Sequence, residues 1–242
     1  MKRGKAAAGV VMAALVGLVA SLSASAQSVD EIIARNLEAK GGLARMRAIQ
    51  TVKQTRRMNL QGMDSPVVVY TKRPNMVRQE ISAAGKLVVM AYDGVTPWVV
   101  NPLTGQSGAI QVMGPQAAAI RQDSDFDGPL VDYRDKGTTI ELIGTEPLGS
   151  RKAYHLKVTS KTGLVQHYYL DIETALEVKL TTETESGTVE QELLDYRDVE
   201  GIKIPFLIRT IANGVKQGEI KVEKVEFNVK IDDAIFRMPK GE

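Results

Sequence analysis

From about Val52 onward the apolar residues recur at every second position in short runs, and this alternation constrains the fold more than any other feature of the chain. Met58 and Leu60, Val68 and Tyr70, Val77 with Ile81, Leu87 to Tyr92, and Trp98 to Val100 fall into such runs. After an interruption the pattern resumes at Thr139–Ile143, Ala153–Thr159, Gln166–Ile172, Glu177–Thr184, Val189–Tyr196, Ile204–Ile211 and Glu219–Val229. Pairs of turn formers such as Gln61-Gly62, Ala84-Gly85, Asp93-Gly94, Glu200-Gly201 and Asn213-Gly214 separate the runs at hairpin spacing. About a dozen antiparallel strands are predicted, enough for a large curled sheet or barrel and too many for a small sandwich. The interruption, Leu103 to Val131, holds Gly, Pro and Ser, then an Ala-rich helix predicted over Pro115–Gln122, then Asp123-Ser-Asp-Phe-Asp-Gly-Pro129. A break of this length in a meander is expected to form a lid.

The N-terminal part follows other rules. Lys2, Arg3 and Lys5 precede an apolar run from Ala6 to Leu22 and the small residues Ser23-Ala24-Ser25-Ala26, the three zones of a secretory signal peptide with an A-x-A site before Gln27. Residues 1–26 are therefore expected to be cleaved, leaving 27–242 as one soluble domain exported to the periplasm. Ser28-Val-Asp-Glu31 is a capping box that opens an amphipathic helix, with Ile32, Ile33 and Leu37 on one face and Gly41-Gly42 at its end. Three of the 31 basic residues lie in the leader, so the remainder carries 28 against 29 acidic residues. A surface this close to neutral argues against nucleic acid as a partner. The chain has no cysteine. Disulfides, thiolate catalysis and lipid attachment at a processed cysteine are excluded, so apolar burial must hold the fold together.

Candidate ligand contacts come from strand parity. Met58, Leu60, Val68, Tyr70, Met90, Tyr92, Tyr154, Leu156, Tyr168 and Leu170 share one parity, with mostly polar neighbours, and are expected to line an apolar face. Met adapts to irregular tails, and Tyr keeps a wet hydroxyl at a rim. The plain alternative is that these side chains fill a closed core. Trp98, the sole Trp, is expected at the cavity mouth beside the Pro102–Gln122 segment, the alternative being a plug in the core. Asp123-x-Asp125-x-Asp127-Gly128 matches half of a calcium loop, but Arg134 occupies the position where a bidentate Glu is required, so a solvated acidic turn is expected and no metal. His155 and His167, the two histidines, are expected as isolated surface residues on the face opposite the apolar one. No nucleophile elbow surrounds Ser107, and no phosphate-binding glycine motif is present, so no cofactor and no catalysis are expected.

Ala39-Lys-Gly-Gly-Leu43, Lys72-Arg-Pro-Asn75, Tyr92-Asp-Gly94, Trp98-Val-Val-Asn-Pro102, Asp125-Phe-Asp-Gly-Pro-Leu-Val-Asp-Tyr133 and Ile231-Asp-Asp-Ala-Ile-Phe-Arg-Met-Pro239 resemble the outer membrane lipoprotein-sorting proteins of the LolA/LolB-like family. The order of elements resembles that family as well. The resemblance implies a mainly β fold, a strongly curved incomplete barrel with an N-terminal helix and a helical lid. It also implies an apolar cavity for the acyl chains of a lipoprotein or lipid, served by membrane-associated donor and acceptor proteins. The expected function is that of a periplasmic carrier or chaperone; the alternative is a non-enzymatic envelope interaction or sensor module that binds a protein partner with the same fold.

Overall fold

The structure, a computed structural model, describes residues 27–60, 62–184 and 187–239. The predicted signal peptide lies outside them. Ser28 caps α1 (Val29–Ala39): its hydroxyl accepts the Glu31 N–H at 3.2 Å, and the Glu31 carboxylate accepts the Ser28 N–H at 2.8 Å. At Gly41 the chain turns with φ 126°, and a Cβ there would lie 2.2 Å from the Gly201 carbonyl oxygen, so only glycine permits so close a crossing of the sheet. The Lys203 N–H donates to the Lys40 carbonyl at 2.9 Å and fixes that crossing. A short α2 (Leu43–Ala48) leads into the sheet.

Thirteen strands follow among the described residues: β1 (Thr51–Leu60), β2 (Met63–Lys72), β3 (Met76–Ala83), β4 (Lys86–Tyr92), β5 (Pro97–Val100), β6 (Ile110–Gln111), β7 (Thr139–Leu148), β8 (Arg151–Thr159), β9 (Val165–Asp171), β10 (Glu177–Thr184), β11 (Gly187–Val199), β12 (Ile202–Ala212) and β13 (Val215–Phe227). They form one antiparallel sheet in the order β6-β5-β4-β3-β2-β1-β13-β12-β11-β10-β9-β8-β7. Each half is a meander, and the β1–β13 pair joins them from Val52↔Phe227 to Leu60↔Gly218. The strands approach so closely there that a Cβ on Gly218 would meet the Asn59 carbonyl at 2.3 Å. The sheet is curved and does not close; β6 and β7 are its edges, and β7 carries a register shift between Leu142 and Gly144 with Pro147 near its end.

Helices cover one face of the sheet. Ile32, Ile33 and Leu37 of α1 pack with Leu130 and Val131 onto Leu156, Val158, Tyr168 and Leu170. Burial of each such apolar side chain contributes about 1.5–3 kcal/mol. On the other half α3 (Gly114–Asp123), within one residue of the predicted helix, sets Ala117 and Ile120 against Val67, Val69, Val77, Tyr92 and Val99. The opposite face carries a smaller cluster in which the C-terminal tail lies over Val89, Ala91 and Trp98.

Polar contacts tie the layers together at a few points. Asn36 of α1 donates to the Ala175 carbonyl at 2.8 Å, and Lys40 pairs with the buried Glu177 at 2.9 Å. Arg73 grips Asp127 with two bonds of 2.6 Å while also donating to the Met46 and Ile49 carbonyls, so it ties α2, the β2–β3 turn and the lid segment together. Burial alone would raise the Glu177 carboxyl, but the charge and hydrogen bond of Lys40 hold it below the ordinary carboxylate value.

A depressed folded-state value means that the Glu177 contribution is present above the unfolded value near 4.3 and is lost as pH falls through the folded one. Acid unfolding of Glu177→Gln should therefore lose part of its pH dependence as pH falls below the unfolded value of about 4.3. Lys40→Ala should cost about 3 kcal/mol in denaturant melts at pH 7, because it strands a buried carboxylate; an unchanged midpoint would show that the pair does not anchor α1. Phe236, wholly buried in the tail, should cost about 3–5 kcal/mol when cut to Ala and should red-shift Trp98 emission as the tail lifts.

Candidate functional site

The helix-bearing face is traced by the ladder registers. Val52, Gln54, Arg56, Met58 and Leu60 point to it from β1, because Arg56 pairs with Val67, which lies in the cluster under α3. Across the ladder Met58 is level with Ile220, Ile220 with Ile208, and Ile208 with Leu193. A second row runs from Thr210 through Gln191 and Leu180 to Tyr168 and Leu156. Met58, Ile220, Ile208, Leu193 and Leu180 are half-buried, in contrast to Leu156 and Tyr168 under α1 and Val67 and Val69 under α3. The inward side of β1, β13, β12, β11 and β10 thus carries a half-buried apolar strip that meets the α3 cluster at Met58 and the α1 core at Leu180, beside a small buried cluster of Phe206, Val222 and Val225. Gln122 at the end of α3 donates to Gln166 of β9 at 3.0 Å, so this helix reaches across from one half of the sheet to the other.

The expected ligand contacts divide into three groups. Met58, Leu60, Met90 and Tyr92 lie on the helix-bearing face: Met58 and Met90 pack partly against α3, Tyr92 is buried there, and Leu60 at the rim is 43% exposed. Tyr154, Leu156, Tyr168 and Leu170 share that face but belong to the α1 core; Leu156 and Leu170 are fully buried, and Tyr154 donates to Gln27. Val68, Tyr70 and Trp98 lie on the opposite face, contrary to the expectation. The reason is the turn. Leu60 opposes Met63 across a two-residue loop, so inward even numbers on β1 become inward odd numbers on β2, and Val67 and Val69 face the helices instead. On β5, Val99 pairs with Met90, which sends Trp98 outward. There the indole N–H donates to the Phe236 carbonyl at 2.8 Å and the ring is 1% exposed. Trp98 is a plug under the C-terminal tail and does not stand at a cavity mouth.

The histidines also differ from expectation. Both lie on the outer face as predicted, yet they are neither isolated nor without an acidic partner: Glu146 Oε1 is 2.6 Å from His155 Nδ1, and His155 Nε2 is 2.6 Å from His167 Nδ1. His155 is buried and stacks on Tyr169, with centroids 4.5 Å apart. Burial, with the neighbouring His155, lowers the His167 imidazole. The carboxylates of the acidic turn have basic neighbours. Asp125 pairs with Lys136 at 2.6 Å and Asp127 with Arg73, while Asp123 lies within electrostatic reach of Arg56.

Two grooves flank this framework. One of about 580 Å³ lies under the tail on the outer face, between Tyr70, Arg78 and Arg237. The other, about 490 Å³, runs between α1 and the 130–135 segment, with Ile33, Leu37 and Leu130 at its base and Asp30, Glu38 and Arg134 at its rim. Sequence reasoning missed Arg56, which stands on the helix-bearing face opposite a β-bulge of β13. Burial pushes its guanidinium down to about 10, partly offset by Asp123. Its place in the alternation, a charge at an inward position between Gln54 and Met58, was the available signal. Among the described residues no helix is long and apolar enough to cross a membrane.

No family model and no curated protein sequence matches the chain. Solved structures do. A DUF1329 family protein from Desulfovibrio piger superposes with a TM-score of 0.63 at 13% identity, covering 88% of this chain and 98% of that one. A LolA superfamily protein from Nitrosomonas europaea gives 0.61 at 14% identity, with the same coverage of 88% and 98%. A putative outer membrane lipoprotein-sorting protein domain from Vibrio parahaemolyticus gives 0.58 at 10% identity, over 85% of this chain and 94% of that one. The open thirteen-stranded sheet, with α1 and α3 on one face, therefore has the LolA/LolB-like fold.

Proposed function

We propose that this chain is an exported, non-catalytic carrier of the periplasm that shelters the acyl chains of a lipid or lipoprotein on the helix-bearing face of its sheet. The observation that carries this reading is the apolar strip Met58, Ile220, Ile208, Leu193 and Leu180, half-buried where it runs from the α3 cluster to the α1 core. Single exposed apolar side chains are ordinary on protein surfaces, but a continuous strip at the base of a curved sheet is the surface an alkyl chain covers. Each methylene taken from water contributes about 0.8 kcal/mol, so a single chain supplies useful affinity without polar chemistry. Release requires a partner or a shift of α3, because that affinity must be given up at the acceptor. The likeness in fold to a lipoprotein-sorting domain supports the same reading.

An acyl-chain fluorophore should bind the purified 27–242 protein with an increase in its own emission. Trp98 emission should change little, because that ring is sealed under the tail on the other face. Ile208→Asp should weaken binding at least tenfold while circular dichroism stays unchanged. Absence of probe binding, together with a specific protein captured from envelope extract, would replace the carrier by the interaction-module reading.

A further inference from the structure

Arg56 stands out by what it lacks. Four arginines are half-buried among the described residues: Arg56, Arg73, Arg78 and Arg209. Arg73 pairs with Asp127 at 2.6 Å, Arg78 with Glu80 at 2.7 Å, and Arg209 with Glu192 at 2.7 Å and Glu219 at 3.2 Å. Arg56 has no carboxylate within 4.0 Å among the described residues, and its hydrogen-bond acceptor is the neutral Gln54 Oε1, at 2.8 Å from Nε and 2.5 Å from Nη2. That contact uses two of five N–H donors and fixes the plane of the guanidinium. A shielded cation with no carboxylate in contact is costly, and protein interiors ordinarily provide one.

Its surroundings point the same way. The β1–β13 register shifts between Thr55 and Arg56, and such bulges re-aim side chains next to functional sites. One step along the same face begins the apolar strip, at Met58. Asp123, the last residue of α3, is the carboxylate that acts on Arg56 from beyond contact, and burial raises its own carboxyl.

We infer that Arg56 anchors the carboxylate head of a fatty-acid-type ligand, whose tail lies along Met58, Ile220, Ile208 and Leu193. The inference rests on the carrier reading and names its ligand class. A carboxylate fits better than a phosphate: one planar guanidinium fork matches one planar, singly charged acceptor, while Asp123 nearby disfavours a second negative charge. Gln54 acts as a positioning residue that holds the fork toward the strip.

The test is displacement of a bound acyl fluorophore by hexadecanoic acid and by its methyl ester, which share a tail and differ in the head. The unaltered 27–242 protein should prefer the acid at least tenfold at pH 8. Arg56→Gln should abolish that preference and leave ester affinity unchanged, and Asp123→Asn should tighten the acid severalfold by removing the competing charge. Equal displacement by acid and ester in the unaltered protein would overturn the role of Arg56 and leave the carrier reading standing, and this comparison needs no variant. An Arg56→Gln protein that loses acid and ester alike would also overturn it. Fluorophore binding that neither compound displaces would overturn the ligand class, and failure of the fluorophore itself to bind would sink both readings.

Discussion

The pairing of β1 with β13 is the interaction on which the remainder of the architecture depends. It joins residues 52–60 to residues 218–227 and turns two meanders, each able to form from local hairpins, into one thirteen-stranded sheet. Nothing else in the ladder spans such a separation. Contacts of that kind carry a large loop-closure cost and become favourable only after both halves exist. The same seam positions the floor of the site, because Met58 and Ile220 face each other across it and Arg56 sits at its bulge. Gly218 lets the two backbones meet there without a side chain between them.

The helices complete the arrangement by covering the two ends of one face, and between them Phe206, Val222 and Val225 form a small buried cluster beside the half-buried strip. α1 is held at its start by its cap and at its end by Lys40, Glu177 and the glycine crossing beside Gly201. α3 is held by Ala117 and Ile120, with Gln122 reaching β9. The apolar strip is therefore a consequence of helix placement: the inward residues beneath α1 and α3 are mostly buried, whereas Met58, Ile220, Ile208, Leu193 and Leu180 are half-buried. Polar groups mark the borders of the strip, with Gln191 and Thr210 in the second row and the Gln54–Arg56 pair on β1.

Local signals carried most of the fold. The capping box at Ser28, the glycine break after α1, the Ala-rich α3 and the paired turn formers each mark a physical boundary that depends on nearby residues alone, and each appears where the pattern placed it. Non-local phase was not legible. Alternation within a strand shows that two faces exist, but which face turns inward depends on how many residues the hairpin loop holds, and a two-residue loop exchanges odd for even. Val68 and Tyr70 lie on the other face for that reason, and Trp98, expected at the mouth from its nearness to the 102–122 segment, is turned outward by its pairing with Ala91, whereas Tyr154, Leu156, Tyr168 and Leu170 lie on the expected face. Likewise, the Glu146–His155–His167 chain spans three neighbouring strands, and no spacing along one strand announces it. Arg56 was overlooked because a charge inside an alternating strand looks like an ordinary solvent position until its register is known.

An open sheet leaves two unpaired borders, and the chain treats them unequally. β6 is only two residues long, too short to template another strand. β7 runs for ten residues, yet it is interrupted by the register shift at Gly144 and ends near Pro147, which has no N–H to offer. Glu141 and Glu146 add negative charge along that margin. Unpaired strand borders invite edge-to-edge pairing with further copies of a chain, and these small irregularities oppose it without closing the sheet.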